Sequence, residues 1–113
     1  MILERVSSKD TFSRFSSVGV KVSSGPVSVV FVPIESQKPE VAMAITTKFG
    51  NAVDRNKARR RLRHAFNETI QNHSHLYSNA YLLFGSRKIL SCDYAGLVSN
   101  LDECCRKISE KSQ

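Results

Sequence analysis

No apolar run in this chain approaches the ~18–20 residues needed to span a membrane. The longest largely apolar stretches, Val27–Ile34 and Ala80–Phe84, are only strand-sized. The opening residues Met1-Ile2-Leu3-Glu4-Arg5 lack a basic segment followed by an apolar one, so no secretory signal is legible. Cysteine is scarce: Cys92, Cys104 and Cys105 form an odd set with an adjacent pair, which does not make a disulfide framework. Together these point to the cytoplasm. Internal repeats, low-complexity segments and internal linkers are also missing. Acids are few, 10 Asp+Glu against 17 Lys+Arg, and no group of them has the spacing of a two-metal nuclease centre. No phosphate-cradling glycine loop and no nucleophile motif is present.

What is there fits one domain, residues 1–113, with 41% apolar residues, enough for an ordinary packed core. The net charge of +7 suits a partner that is a polyanion, most often nucleic acid. Residues 7–17 read as a short helix with Ser8 as N-cap, and Gly19 as its stop. Gly25-Pro26 marks a turn, and a short extra strand fits near Lys21–Ser23. β-Branched Val27–Val32 is a strand ended by Pro33. After a polar loop, Val41–Thr46 is a second strand, and the short connection predicts an antiparallel hairpin between the two.

The clearest helical signal spans residues 51–71. Ala58, Leu62, Ala65, Phe66, Thr69 and Ile70 recur at the spacing of one buried face. Asn51 followed by Asp54 resembles a capping box. Ala80–Phe84 is a third strand, continuously apolar and expected to be buried on both faces. A last helix begins near Ser91, with Tyr94, Leu97, Val98, Leu101, Cys105 and Ile108 as its apolar stripe. The order α-β-β-α-β-α predicts an α+β two-layer sandwich with a small mixed sheet.

Positions 48–63 hold Lys48, Arg55, Lys57, Arg59, Arg60, Arg61 and Arg63, with Asp54 the sole acid. At ~100° per residue, Arg55, Asn56, Arg59, Arg60 and Arg63 share one flank of the helix, beside its apolar face, while Lys57 and Arg61 fall on the other side. Like charges at i, i+4 destabilise a helix by a few tenths of a kcal/mol per pair. The series makes sense if a polyanion neutralises it, and guanidinium favours bidentate contact with phosphate. The other constellations read as structural. His73 and His75 form a surface-loop pair without matching metal ligands. Cys105 fills the apolar face of the last helix, and Asp102 and Glu103 sit on its exposed side. Phe12 and Phe15 suit a core or a base-stacking platform.

Lys48, Gly50, Ala52, Val53, Arg55, Asn56, Arg59, Arg60 and Arg63, at this spacing, resemble the signature of the bacterial ribonuclease P protein subunit. Length, basicity, element order and the Arg5-Val6 and Phe12…Gly19 spacings fit the same family. The resemblance implies a sandwich like the second domain of a ribosomal protein, with a left-handed strand-helix-strand crossover where general rules would give a right-handed one. It implies a subunit of a ribonucleoprotein endonuclease that removes the 5′ leader from precursor tRNA. The partners would be a catalytic RNA and precursor tRNA, not DNA or membrane. Magnesium would be held mainly by the RNA, with no catalytic residue in the protein. By position, Lys48, Arg55, Asn56, Arg59, Arg60 and Arg63 would bind RNA, and Phe12, Phe15 and Val30 would line a leader cleft. Thr47, Ser16 and Val30 depart from the family pattern, where basic or aromatic residues are usual, and the segment Glu4–Lys9 is less basic. A structural RNA-binding protein, a stand-alone nuclease and a DNA-binding protein are the rival readings of the same charge.

Overall fold

The computed structural model describes residues 2–111. Its elements run β1 (Glu4–Arg5), α1 (Lys9–Ser17), β2 (Val20–Ser24), β3 (Val27–Pro33), β4 (Glu40–Met43), α2 (Ala52–Ile70), β5 (Asn79–Gly85), α3 (Lys88–Ser91) and α4 (Tyr94–Lys111). Short 3₁₀ turns at Thr47–Phe49 and Ser74–Leu76 flank α2. Five strands form one mixed sheet in the order β1-β4-β5-β3-β2.

β5 occupies the centre, antiparallel to β3 and parallel to β4. The hairpin expected between Val27–Val32 and Val41–Thr46 therefore does not form. The physical reason is the apolar character of β5: Ala80, Tyr81 and Leu83 are fully buried, and a strand with apolar side chains on both faces belongs between two neighbours. The loop between β3 and β4 instead steps across the start of β5, where Pro33 pairs with Asn79 and Glu40 with Ala80. The hairpin that does form joins β2 and β3 through the Gly25-Pro26 turn, with Ser24 opposite Val27. The burial of β5 is also lopsided. Tyr81 and Leu83 face the main core, whereas Leu82 and Phe84 on the other face are only half-buried.

The sheet is covered on one face by α2 and α4. All six residues of the expected α2 stripe are buried there, Phe66 meeting Tyr81 edge-on at a centroid distance of 5.1 Å. Val22, Val27, Val29, Phe31 and Val41 supply the sheet side of this core. α1 crosses part of the opposite face, where Phe15 joins Val6, Val32 and Ala80 in a second, smaller cluster. Ser8 caps α1, its hydroxyl accepting from the Thr11 amide at 3.4 Å. Gly19 follows directly after that helix. A side chain there would strike the Phe15 carbonyl and Val30, so its absence sets how closely α1 approaches the sheet.

Two boundaries differ from expectation. The strand expected over Val41–Thr46 stops at Met43. The helix expected from near Ser91 begins at Tyr94, a separate short α3 over Lys88–Ser91 precedes it, and Tyr94 is 40% exposed rather than part of the stripe. Cys104 joins Leu97, Leu101, Cys105 and Ile108 in the core instead. Burial pushes the thiol of Cys104 up to about 11 and that of Cys105 up to about 12, so both stay protonated and inert at neutral pH. Among the described residues no helix is long and apolar enough to cross a membrane.

Candidate nucleic-acid interface

α2 starts at Asn51, whose side-chain oxygen accepts from the Asp54 amide at 2.8 Å. The capping box is only half made. The Asp54 carboxylate turns to Arg87, 3.3 Å away, instead of returning to Asn51. Arg87 also donates to the Phe49 carbonyl and lies over the Phe49 ring at 5.9 Å. Gly50, between them, takes φ +154°, a conformation L side chains rarely adopt, and a Cβ there would collide with the Arg87 guanidinium. The first turn of α2 is thus clamped to the loop after β5.

From that anchored start the arginines fan out along one flank. Asn56, Arg59, Arg60 and Arg63 line a single recess of about 550 Å³. Arg59 is fixed at both ends of its fork: Nη1 donates to Asn56 Oδ1 and Nη2 to the Ile45 carbonyl, each at 3.1 Å. It is thereby tied to the chain just past the end of β4. Arg60 is exposed. Every ion pair among the described residues lies elsewhere, on Glu4, Asp54, Asp102 and Glu103. Among the described residues no carboxylate pairs with Arg59, Arg60 or Arg63.

An adjoining groove of about 260 Å³ opens between α1, β4 and α2. Phe12, Val6, Ala42 and Met43 give it apolar walls, and Arg59 and Arg63 are shared with the recess. Phe12 is 47% exposed and touches Phe15 edge-on. Phe15 itself is 6% exposed in the smaller core, with Val30 packed against that cluster, and neither lines the groove. Of the residues singled out in the sequence, Asn56, Arg59, Arg60, Arg63 and Phe12 therefore come together. Lys48 stands apart, in a recess with Thr46, Ser86 and Arg87. Arg55 is half-buried and lines neither space, and its Nε is enclosed with no hydrogen-bond partner among the described residues. Arg61 leaves the flank as its angle requires, donating to the Cys92 carbonyl at 2.6 Å.

The chain matches the family model described as Ribonuclease P over residues 3–109. It belongs to the ribonuclease P protein family. It is 39% identical over 89 residues to the ribonuclease P protein component of Coprothermobacter proteolyticus, covering 79% of this chain and 71% of that one. It is 38% identical over 60 residues to the corresponding component of Acholeplasma laidlawii, 53% of this chain and 48% of that one. The fold is that of the ribonuclease P protein of Thermotoga maritima, with a TM-score of 0.75, 18% identity and 92% and 96% of the two chains covered. The Staphylococcus aureus protein gives a TM-score of 0.71 at 23% identity, with 93% and 94% covered. Membership makes the chain a protein component of a ribonuclease P enzyme, whose partner is an RNA.

Within this family setting the remaining candidates are structural. His73 Nε2 meets Asp102 at 2.8 Å, and His75 Nε2 meets Ser109 Oγ at 2.9 Å. The two rings fasten the Ser74–Leu76 turn to α4. Among the described residues no three His, Cys, Asp or Glu side chains come together in a way that could hold a metal ion. Arg5 and Arg87 were not legible as site residues. Arg5 lies on a strand of two residues, too short for periodicity, and Arg87 follows an apolar strand far from the basic cluster.

Proposed function

We propose that this chain binds the catalytic RNA of ribonuclease P through the Asn56–Arg63 flank of α2, and receives the 5′ leader of precursor tRNA in the groove beside Phe12. The observation that carries the reading is the shared wall. Arg59 and Arg63 belong both to a carboxylate-free cationic recess and to an apolar groove. A recess of that kind takes phosphates and releases their counterions. A groove with one exposed aromatic ring takes unpaired bases by stacking, as a single strand requires. Lys48 and Arg55 add positive potential at the start of the same helix, and Phe15 and Val30 support the groove from below.

In this proposal the protein raises the affinity for substrate and for magnesium, while the RNA holds the ions at the scissile phosphate. Among the described residues the donor set does not fit a resident magnesium ion, which needs clustered oxygen ligands, since no three His, Cys, Asp or Glu side chains come together. The protein's work is therefore positional and electrostatic: it neutralises RNA charge and orients the leader. The whole proceeds in the cytoplasm.

The test is leader removal from a precursor tRNA at low magnesium, comparing the protein, a bacterial ribonuclease P RNA, and both. Cleavage that needs or is strongly enhanced by the pair supports the reading. Cleavage by the protein alone would make it a nuclease in its own right. Tight RNA binding without stimulation would make it a structural RNA-binding protein.

A further inference from the structure

β1 is held to β4 by its backbone. The Glu4 amide donates to the Pro39 carbonyl at 2.9 Å and the Val6 amide to the Val41 carbonyl at 3.1 Å. Successive side chains of a strand alternate between faces. Val6 enters the small core under α1, so Arg5, opposite Val41 in the register, falls on the α2 side of the sheet. There it lines the cationic recess and the Phe12 groove, and also a third space of about 210 Å³ at the end of β1. Arg5 and Arg63 are the two residues common to all three.

The state of the Arg5 side chain matters as much as its place. It is exposed, and among the described residues no hydrogen bond or ion pair ties its guanidinium to the protein. Its neighbour Glu4 is occupied by Lys38 at 3.5 Å. Arg59, by contrast, spends donors on Asn56 and Ile45. Glu4 lines the third space but pairs with Lys38, so among the described residues the Arg5 fork, at the junction of three recesses, makes no bond to a protein acceptor.

We propose that Arg5 is a further phosphate-binding residue, taking a phosphodiester of RNA where the arginine flank of α2 meets the Phe12 groove. The inference rests on the reading of that flank as an RNA contact. The interface then is not the property of one helix. It is completed by a segment some fifty positions earlier, delivered by a two-residue strand. The phosphate belongs either to the catalytic RNA or to the leader, and the same experiment separates these sources.

Arg5→Ala, Arg5→Gln, Arg5→Lys and Arg63→Ala are compared with the parent chain, and Arg106→Ala on the far side of α4 serves as a control for net charge. Affinity for a bacterial ribonuclease P RNA is measured across a salt series. The affinity of the assembled holoenzyme is then measured for precursor and for leaderless tRNA. Arg5→Ala should weaken one of these interactions roughly threefold to tenfold and flatten its log K against log salt slope by about one unit, with Arg5→Lys keeping the slope. A loss with the catalytic RNA assigns the phosphate there, and a loss confined to precursor tRNA assigns it to the leader. Parent-like behaviour of Arg5→Ala while Arg63→Ala falls would overturn the role of Arg5 and leave the flank intact. Parent-like behaviour of both would overturn the flank itself. Should Arg5→Ala loosen β1 in a thermal melt, Arg5→Gln decides, because it keeps the stem and removes only the charge.

Discussion

Phe12 and Phe15 are three positions apart on α1 and touch each other, yet they carry different loads. Phe15 is enclosed with Val6, Val32 and Ala80. Truncation to Ala should cost roughly 3–5 kcal/mol, as for other buried aromatics. Phe12 is half in solvent, so Phe12→Ala should cost under about 1 kcal/mol of stability by its partial burial. It should instead reduce the affinity of the holoenzyme for precursor tRNA more than for mature tRNA. Urea melts check the first pair of figures and equilibrium binding checks the second. An equal loss for both tRNAs would place Phe12 with Phe15 as packing. At this scale the sequence was informative where periodicity or charge density spoke. The α2 stripe and the flank Asn56–Arg63 were legible because a long helix repeats its signal. The separate fates of Phe12 and Phe15 were not, since a nine-residue serine-rich helix fixes its own rotation poorly and the sheet decides which ring is covered.

The start of α2 depends on an element far away in sequence. Asn51 was legible as its cap, but the role of Asp54 was not, because the partner it prefers, Arg87, lies 33 residues on. Gly50 is the pivot: its φ of +154° and the guanidinium packed against it leave no room for a side chain. Gly50→Ala should therefore cost roughly 1–3 kcal/mol in a denaturant titration, the range for a strained backbone position. It should also weaken RNA binding, because the first turn that aims Asn56 and Arg59 would shift. A variant with parent stability would show that the loop reorganises freely. The same dependence on distant partners explains the hairpin that did not form. Loop length argued for pairing β3 with β4, but the strand with most to bury, β5, lies nearly forty residues past β4's start and displaces that pairing.

Over the whole molecule the charges are segregated. Among the described residues the acidic side chains in ion pairs are Glu4 with Lys38, Asp54 with Arg87, and Asp102 and Glu103 along α4, while every charged side chain in the recess walls is positive. Self-repulsion there opposes the docking of β1 and the closure of the recess. An anion that binds the folded chain and not the unfolded one raises its stability by mass action. Pyrophosphate or sulfate should accordingly raise the Tm by several degrees over chloride at matched ionic strength, since about 1 kcal/mol moves Tm by ~4–8 °C in a domain of this size. Replacing Arg60 and Arg63 together by Ala should diminish that difference. An identical rise in chloride would show general screening instead of a site. Net charge and family fold were legible from the sequence, whereas this segregation needed the sheet order that brings residue 5 beside residue 63.

The central position of β5 also sets a timetable. Domains are built from the N-terminus as the ribosome adds residues at ~5–20 per second. Residues 79–85 emerge after every residue of the proposed interface has been made. Until then β4 has no central neighbour, β1 has nothing firm to join, and α2 has no floor for Phe66. The arginine helix therefore spends its first seconds outside the ribosome without the geometry that would let it grip RNA. A nascent chain halted at Ser78 would hold all the cationic residues of the recess and none of its shape.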